Sequence, residues 1–305
     1  MIVHTNTNYN SKVLQEDIFS LLNSYPFIKA SVIGYSFLGS PIHCLKIGTG
    51  PKEVFYSGSI HANECIVSPV LMKFAQDLSN AYSNNDNIHG YNAKEILNST
   101  SIYIVPMINP DGVDLVTNSI NTESGPYIYA SIIANNYPQI PFPSGWKANL
   151  NGVDLNLQFP AGWEQAKEIK YSQGFNRPAP RDFVGFGPLT EPESLAIYNF
   201  TLKHDFKLII TYHTQGQEIY WNFQNINPPR GFEIGQQFSS ASGYELAEVP
   251  YNSSFAGYKD WFIQNYKRPG YTIEAGLGNN PLPISQFDEI YNDNIGILVL
   301  GAILA

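Results

Sequence analysis

Apolar residues in this chain recur in two alternating rhythms, and that alternation constrains the fold more than any other feature. Short runs of β-branched and aromatic residues come first, as in Glu53-Val54-Phe55-Tyr56-Ser57. Stretches with three- and four-residue spacing follow, as at Val67, Val70, Leu71, Phe74 and Leu78, which form the apolar stripe of a helix. Further strand-like runs lie at 101–107 (SIYIVPM), 207–212 (KLIITY) and Tyr271-Thr272-Ile273. Strands alternating with helices argue an α/β architecture with helices on both faces of a sheet. The dipeptides of Asn109-Pro110-Asp111-Gly112 break the second strand as a turn signal. Thr190-Glu191-Pro192-Glu193 reads as a capping box, Thr190 at the N-cap and Glu193 three residues on, opening a helix that runs to about Lys203. Residues 118–149 and 157–187 lack clear periodicity. They are rich in Pro, Gly, Asn and aromatics, and they read as the rims of a substrate cleft.

Bulk properties exclude several classes of protein. The chain has 305 residues, 43% of them apolar and only 14% charged, a composition that suits a packed globule. Its length permits one large domain or two smaller ones, and no repeat and no Gly/Ser or Pro-rich linker divides it. The formal charge is −9, and no basic run is present to meet phosphates, so nucleic acid is not an expected partner. The most apolar stretch, 295–305, is about half of the ~20 residues that a bilayer span needs and reads as a buried terminal element. Met1-Ile2-Val3-His4-Thr5-Asn6 has no charged region leading into an apolar one, so a cytoplasmic location is expected; an extracellular or spore-associated one stays open. The two cysteines, Cys44 and Cys65, do not make a disulfide framework and are expected as free thiols.

The chemistry begins at His61-Ala62-Asn63-Glu64, between a strand that ends at Ser57 and the helix beyond. Ligands of open α/β sheets gather outside the carboxyl ends of the strands. A His and a carboxylate three positions apart can converge there on one ion, and a catalytic zinc takes three protein ligands plus water. Taken alone, His-x-x-Glu is explained at least as well by a capping Glu beside a core His. The strand at 207–212 delivers His213, which alone could equally be a buried imidazole bonded to backbone. The joint pattern shifts the balance. Asn109-Pro110-Asp111-Gly112, Gly152-Val153-Asp154-Leu155-Asn156, Tyr212-His213 and Thr272-Ile273-Glu274 follow in order, each at a strand end or in a loop beside one.

In that order of motifs the chain resembles the zinc carboxypeptidases of the carboxypeptidase A superfamily, from Asp17 onward. Within them it is most similar to the γ-D-glutamyl-meso-diaminopimelate peptidases of spore-forming bacteria. The closer likeness lies in Trp146-Lys147-Ala148-Asn149, 153–160 (VDLNLQFP), 188–193 (PLTEPE) and Tyr258-Lys259-Asp260-Trp261. The resemblance implies one catalytic domain over 1–305, with a three-layer α/β/α fold around a mixed, mostly parallel eight-stranded sheet. It also implies one zinc ion per chain, held by His61, Glu64 and His213. Asp154 would accept a hydrogen bond from the other nitrogen of His61. Glu274 would take a proton from the zinc-activated water and pass it to the leaving amine.

Departures from the family pattern bear on the substrate. Where typical members place an Arg that polarises the scissile carbonyl, this chain has Lys147, which offers a point charge without the Arg fork. Typical members follow Asp-x-Asn with an Arg that, with the Asn, grips a free terminal carboxylate; here Asn156 precedes Leu157, which cannot. Arg181 and Arg177 in the neighbouring loop, and Lys259, are candidate substitute cations, with Arg181 preferred to Arg177. Tyr251 is assigned to the place of a substrate-contacting Tyr. A peptidoglycan stem peptide or muropeptide, cut between γ-D-glutamate and meso-diaminopimelate, is the expected substrate. The rival readings are a conventional metallocarboxypeptidase on ordinary peptides, a deacylase of small N-acyl amino acids, and a non-catalytic muropeptide-binding protein.

Overall fold

The structure, a computed structural model, describes residues 2–305. In chain order its elements are α1 (Ser11–Ser24), β1 (Lys29–Tyr35), β2 (Pro41–Ile47), β3 (Lys52–Gly58), α2 (Val67–Asn84), β4 (Asn87–Ile88), β5 (Tyr91–Asn92), α3 (Ala93–Ser99), β6 (Thr100–Val105) and α4 (Pro110–Val116). There follow α5 (Gly125–Ala134), α6 (Trp163–Ser172), α7 (Pro192–Leu202), β7 (Phe206–His213), β8 (Glu218–Tyr220), α8 (Gly231–Ser242), β9 (Glu245–Ala247), α9 (Tyr258–Tyr266), β10 (Gly270–Glu274) and α10 (Phe287–Leu304).

The eight-stranded sheet has the order β1-β2-β6-β3-β7-β10-β8-β9. Its centre is parallel: β6 pairs with β3, β3 with β7, and β7 with β10. The β1–β2 hairpin and β8 bring in antiparallel pairings toward the edges. Side chains alternate across the central strands, as the pleat requires. Val54, Tyr56, Leu208, Ile210, Tyr271 and Ile273 face one apolar layer, which includes buried residues of α1, α2, α8 and α10. Phe55 and Ile209 face the other, with Ala196 and Ile197 of α7 and Trp261, Phe262 and Ile263 of α9. Both sheet faces are therefore covered, the three-layer arrangement expected of strands apolar on both sides.

The predicted helical stripe is the buried face of α2: Val67, Val70, Leu71, Phe74 and Leu78 are all fully buried. The apolar C-terminal run packs into α10, and no described helix is long and apolar enough to cross a membrane. Both cysteines are free thiols. The capping box fails. The N-cap of α7 is Glu191 rather than Thr190, and no side chain caps it. The Thr190 hydroxyl is instead bonded to Gln158 Oε1, and the Glu193 carboxylate turns inward to accept the amide of Phe37 at 2.8 Å. A short-range signature lost here to longer-range polar partners that the sequence does not display. Asn109-Pro110-Asp111-Gly112 opens a helix as well as ending a connection: Asn109 Oδ1 caps α4 by accepting the Gly112 amide, with Pro110 in the first turn.

Candidate metal centre and cleft

Three neighbouring parallel strands, β3, β7 and β10, end side by side, and the site is built on their carboxyl ends. Register pairs Glu274 with His213 and Gly58 with Tyr212. Because Ile209, Thr211 and His213 share a face with Gly270, Thr272 and Glu274, the last residues of β7 and β10 present an imidazole and a carboxylate to the same space. The chain leaving β3 reaches His61 and turns through one 3₁₀ turn, Ala62–Glu64, which returns Glu64 beneath His61. Asn109 braces this turn: its side-chain amide donates to the Ala148 carbonyl at 3.0 Å, and the Ala62 amide donates to the Lys147 carbonyl at 3.0 Å.

His61 Nδ1 lies 2.9 Å from one Glu64 oxygen, His213 Nδ1 lies 2.9 Å from the other, and the two Nδ1 atoms are 3.2 Å apart. Two imidazole nitrogens and a carboxylate thus meet within 4.8 Å of one another. Donors about 2.1 Å from a tetrahedral zinc stand roughly 3.4 Å apart, so this set fits that ion in both chemistry and spacing. The charge balance agrees. Burial alone would lower the pKa of His61, but the carboxylates of Glu64 and Asp154 outweigh it and lift it to about 9. Burial disfavours ionised Glu64 and Asp154, yet His61 beside them holds both below the usual carboxylate range. The cluster is short of positive charge, which a divalent cation supplies.

Asp154 serves both the His61 imidazole and the backbone of its own turn. Its Oδ1 meets His61 Nε2 at 3.1 Å and also accepts the Asn156 amide two residues on; its Oδ2 accepts the Asp182 amide. The turn bond fixes the carboxylate, and the fixed carboxylate fixes the imidazole. Lys147 donates from Nζ to Glu64 Oε1 at 2.8 Å. Burial lowers its pKa, and the Glu64 carboxylate more than restores it. Glu274 is pushed upward by burial and by Glu64, against the pull of His213 and Lys147.

His61, Lys147, Asp154, His213 and Glu274 line a cleft of about 670 Å³. The two stretches without clear periodicity, which fold in part into α5 and α6, supply its walls, with Gln139, Ile140 and Ser144 from one and Leu157, Lys170 and Arg181 from the other. Leu157 joins an apolar cluster with Trp163, Ala166, Val184 and Ala256. Asn156 Oδ1 accepts the Tyr258 amide at 3.1 Å. Arg181 lines the cleft with its Nε bonded to Asp182. Arg177 is exposed and outside the lining; its carbonyl accepts the Tyr137 hydroxyl. Tyr251 stands at the rim, 61% exposed, edge-on to the cleft residue Phe255. Lys259 is buried, pairs with Asp260 at 2.8 Å, and donates to the Asn222 carbonyl at 2.5 Å. Sequence reasoning missed Lys170, Asp182, Tyr220 and Thr272, which also line the cleft. Lys170 and Asp182 are joined at 2.6 Å, and no motif surrounds either.

The fold and this donor set define a metallopeptidase of the zinc carboxypeptidase family, to which the chain belongs: the family's model matches residues 15–296. More particularly, it is 43% identical over 303 residues to the Gamma-D-glutamyl-L-diamino acid endopeptidase 1 of Lysinibacillus sphaericus, covering 99% of this chain and 74% of that one. The uncharacterized Bacillus subtilis protein YqgT is 39% identical, over 95% of this chain and 76% of its own length. Among solved structures, bovine thrombin-activatable fibrinolysis inhibitor bound to a tick carboxypeptidase inhibitor shares the fold. Its TM-score is 0.72 at 17% identity, covering 98% of each chain.

Proposed function

We propose that this zinc peptidase hydrolyses the amide between γ-D-glutamate and a diamino acid, meso-diaminopimelate, in peptidoglycan stem peptides. The observation that carries the reading is a complete His61–Glu64–His213 donor set beside Glu274, in a chain 43% identical to an enzyme named for that linkage. Leu157 supports it, because its apolar packing leaves no cation where an ordinary carboxypeptidase holds a terminal carboxylate.

Nδ1 of His61, Nδ1 of His213 and the Glu64 carboxylate would hold the zinc. When bound, zinc supplies Lewis-acid polarisation of the scissile carbonyl and makes water acidic enough to attack at neutral pH. The Glu274 carboxylate accepts the proton of the attacking water and returns it to the nitrogen of the departing diamino acid. Its burial favours the protonated form after the first transfer and so assists the second. Lys147 Nζ donates toward the oxygen of the scissile carbonyl as negative charge gathers there. Asp154 keeps a proton on His61 Nε2, which leaves Nδ1 free for the metal.

The test compares L-Ala-γ-D-Glu-meso-diaminopimelate with its α-linked L-Glu isomer and with ordinary peptides, products being read by mass spectrometry. Cleavage of the γ-linked peptide alone supports the reading. Trimming of ordinary peptides with the γ-linked one untouched replaces it with a conventional carboxypeptidase. Binding of the γ-linked peptide without cleavage, zinc being bound, replaces it with a muropeptide-binding protein.

A further inference from the structure

Arg181 is held beside the metal centre by the residues on either side of it. The Pro180 carbonyl accepts the amides of Lys147 and Ala148 at 2.8 and 2.9 Å, and the Asp182 amide donates to Asp154 Oδ2 at 3.2 Å. One neighbour is thus tied to the residue assigned to the scissile carbonyl, the other to the carboxylate that orients His61. Between them the Arg181 side chain lines the cleft. The charges register this closeness. Burial lowers the Arg181 pKa, and the carboxylates of Asp182, Asp154 and Glu64 more than restore it. Lys147, whose pKa burial lowers and Glu64 restores, feels Arg181 as a like charge.

The Arg181 guanidinium is braced but not spent. Its Nε bonds Asp182 Oδ2, and Lys170 holds the other Asp182 oxygen at 2.6 Å. Asp182 has a φ of 63°, a left-handed backbone that non-glycine residues adopt rarely; its bonds to Asp154, Lys170 and Arg181 hold it there. Neither terminal nitrogen of Arg181 bonds a described residue. The other lysines of the cleft have partners: Lys147 is bonded to Glu64, Lys170 to Asp182 and Lys259 to the Asn222 carbonyl. The cleft therefore presents one open guanidinium fork, set in place in advance, and two parallel N–H groups on a planar cation match a carboxylate.

A γ-D-glutamyl peptide carries such a group. Its free α-carboxylate follows the scissile carbonyl by four carbon–carbon bonds, about 5 Å in extended form. It belongs to the acyl half of the substrate. The leaving nitrogen must meet Glu274 on β10 to recover its proton, whereas the carbonyl oxygen meets Lys147. Arg181 stands on the Lys147 side, where the two loops share the Pro180 carbonyl, and so faces the acyl half.

We propose that the Arg181 fork binds the free α-carboxylate of the γ-D-glutamyl residue, so that the enzyme rejects stem peptides in which this group is amidated. This rests on the γ-D-glutamyl peptidase reading above. The test measures kcat/KM of the zinc-loaded protein on L-Ala-γ-D-Glu-meso-diaminopimelate and on two carboxamides of it, one at the glutamyl α-carboxylate and one at the diaminopimelate carboxylate beside the reacting nitrogen. Wild type is expected to prefer the parent over the glutamyl carboxamide by at least tenfold. Arg181→Gln is expected to bring that pair within about threefold and to respond to the diaminopimelate carboxamide as wild type does. Equal wild-type rates on the parent and the glutamyl carboxamide overturn the proposal and leave the peptidase reading intact. So does a variant that loses discrimination at the diaminopimelate carboxylate instead. No cleavage of any of the three removes both. Calorimetry on wild type with the product L-Ala-γ-D-Glu and with its α-carboxamide reads the contact without turnover and without a variant. At least tenfold tighter binding of the carboxylate is expected, and equal binding overturns the proposal.

Discussion

At the scale of single residues, the site depends on a few buried charges that hold one another in place. Lys147 is the residue most open to test, since it touches Glu64 and, in the proposed reaction, also donates to the scissile carbonyl. Lys147→Met is expected to lower kcat about 100-fold, the size of one lost oxyanion donor, with zinc content near wild type in elemental analysis. Loss of zinc with the activity would make Lys147 a support for Glu64 instead. His213→Ala removes one of three donors and is expected to leave the purified protein without stoichiometric zinc. The donors His61, Glu64 and His213 were legible because their chemistry is distinctive and their motif order resembles a family. Lys170 and Asp182 were not, because a charged residue in a stretch without periodicity reads as a solvated one until its partner is placed beside it. Arg177 shows the converse: a loop cation near the right motif in sequence, yet exposed and outside the cleft.

At the scale of elements, the loop that carries Lys147 and Asp154 hangs on α7. The Asn149 side-chain amide donates to Glu191 at 2.7 Å and to Glu193 at 3.2 Å, and Glu193 also accepts the Phe37 amide beyond β1. Burial raises the Glu193 carboxyl to about 7, against the pull of those donors and with Asp111 adding to the rise. An acid whose folded pKa lies above its unfolded value of ~4.5 binds more protons folded than unfolded between those two values. Its contribution to stability therefore falls as pH rises from ~4.5 to ~7 and is level above. Glu193→Gln is expected to gain stability relative to wild type across that window, by up to about 3 kcal/mol, visible as a pH-dependent difference in melting temperature. A difference that does not change with pH would contradict it. The same residue shows why the capping box misread: Phe37 and Asn149 donate to the buried Glu193 carboxylate, while the Thr190 hydroxyl donates to Gln158 Oε1. Edge strand β1 was illegible for another reason. It is exposed along most of its length, so no buried face imposes a two-residue pattern.

At the scale of the whole molecule, His61 and His213 stand 152 positions apart and meet only because β3 and β7 run parallel and end together. Periodicity revealed the central strands, the likeness to a family implied a mostly parallel sheet of eight, and the order of the strands came into view only in the structure. Zinc should then tie the parts of the fold together. A ligand that binds only the folded state at about 1,000 times its Kd adds roughly 4 kcal/mol, so saturating zinc is expected to raise the melting temperature of the metal-stripped protein by several degrees. The same addition to His213→Ala is expected to leave it unchanged; an equal rise there would place the ion elsewhere. The central claim, that zinc at these strand ends and Glu274 together cut the γ-D-glutamyl bond, has one most direct test. It is the release of diaminopimelate from L-Ala-γ-D-Glu-meso-diaminopimelate by zinc-loaded wild type beside zinc-loaded Glu274→Gln. Rapid release by wild type, with the variant about 1,000-fold slower at equal zinc content, is the expected result. Equal rates for the two proteins, or no release by wild type, would contradict it.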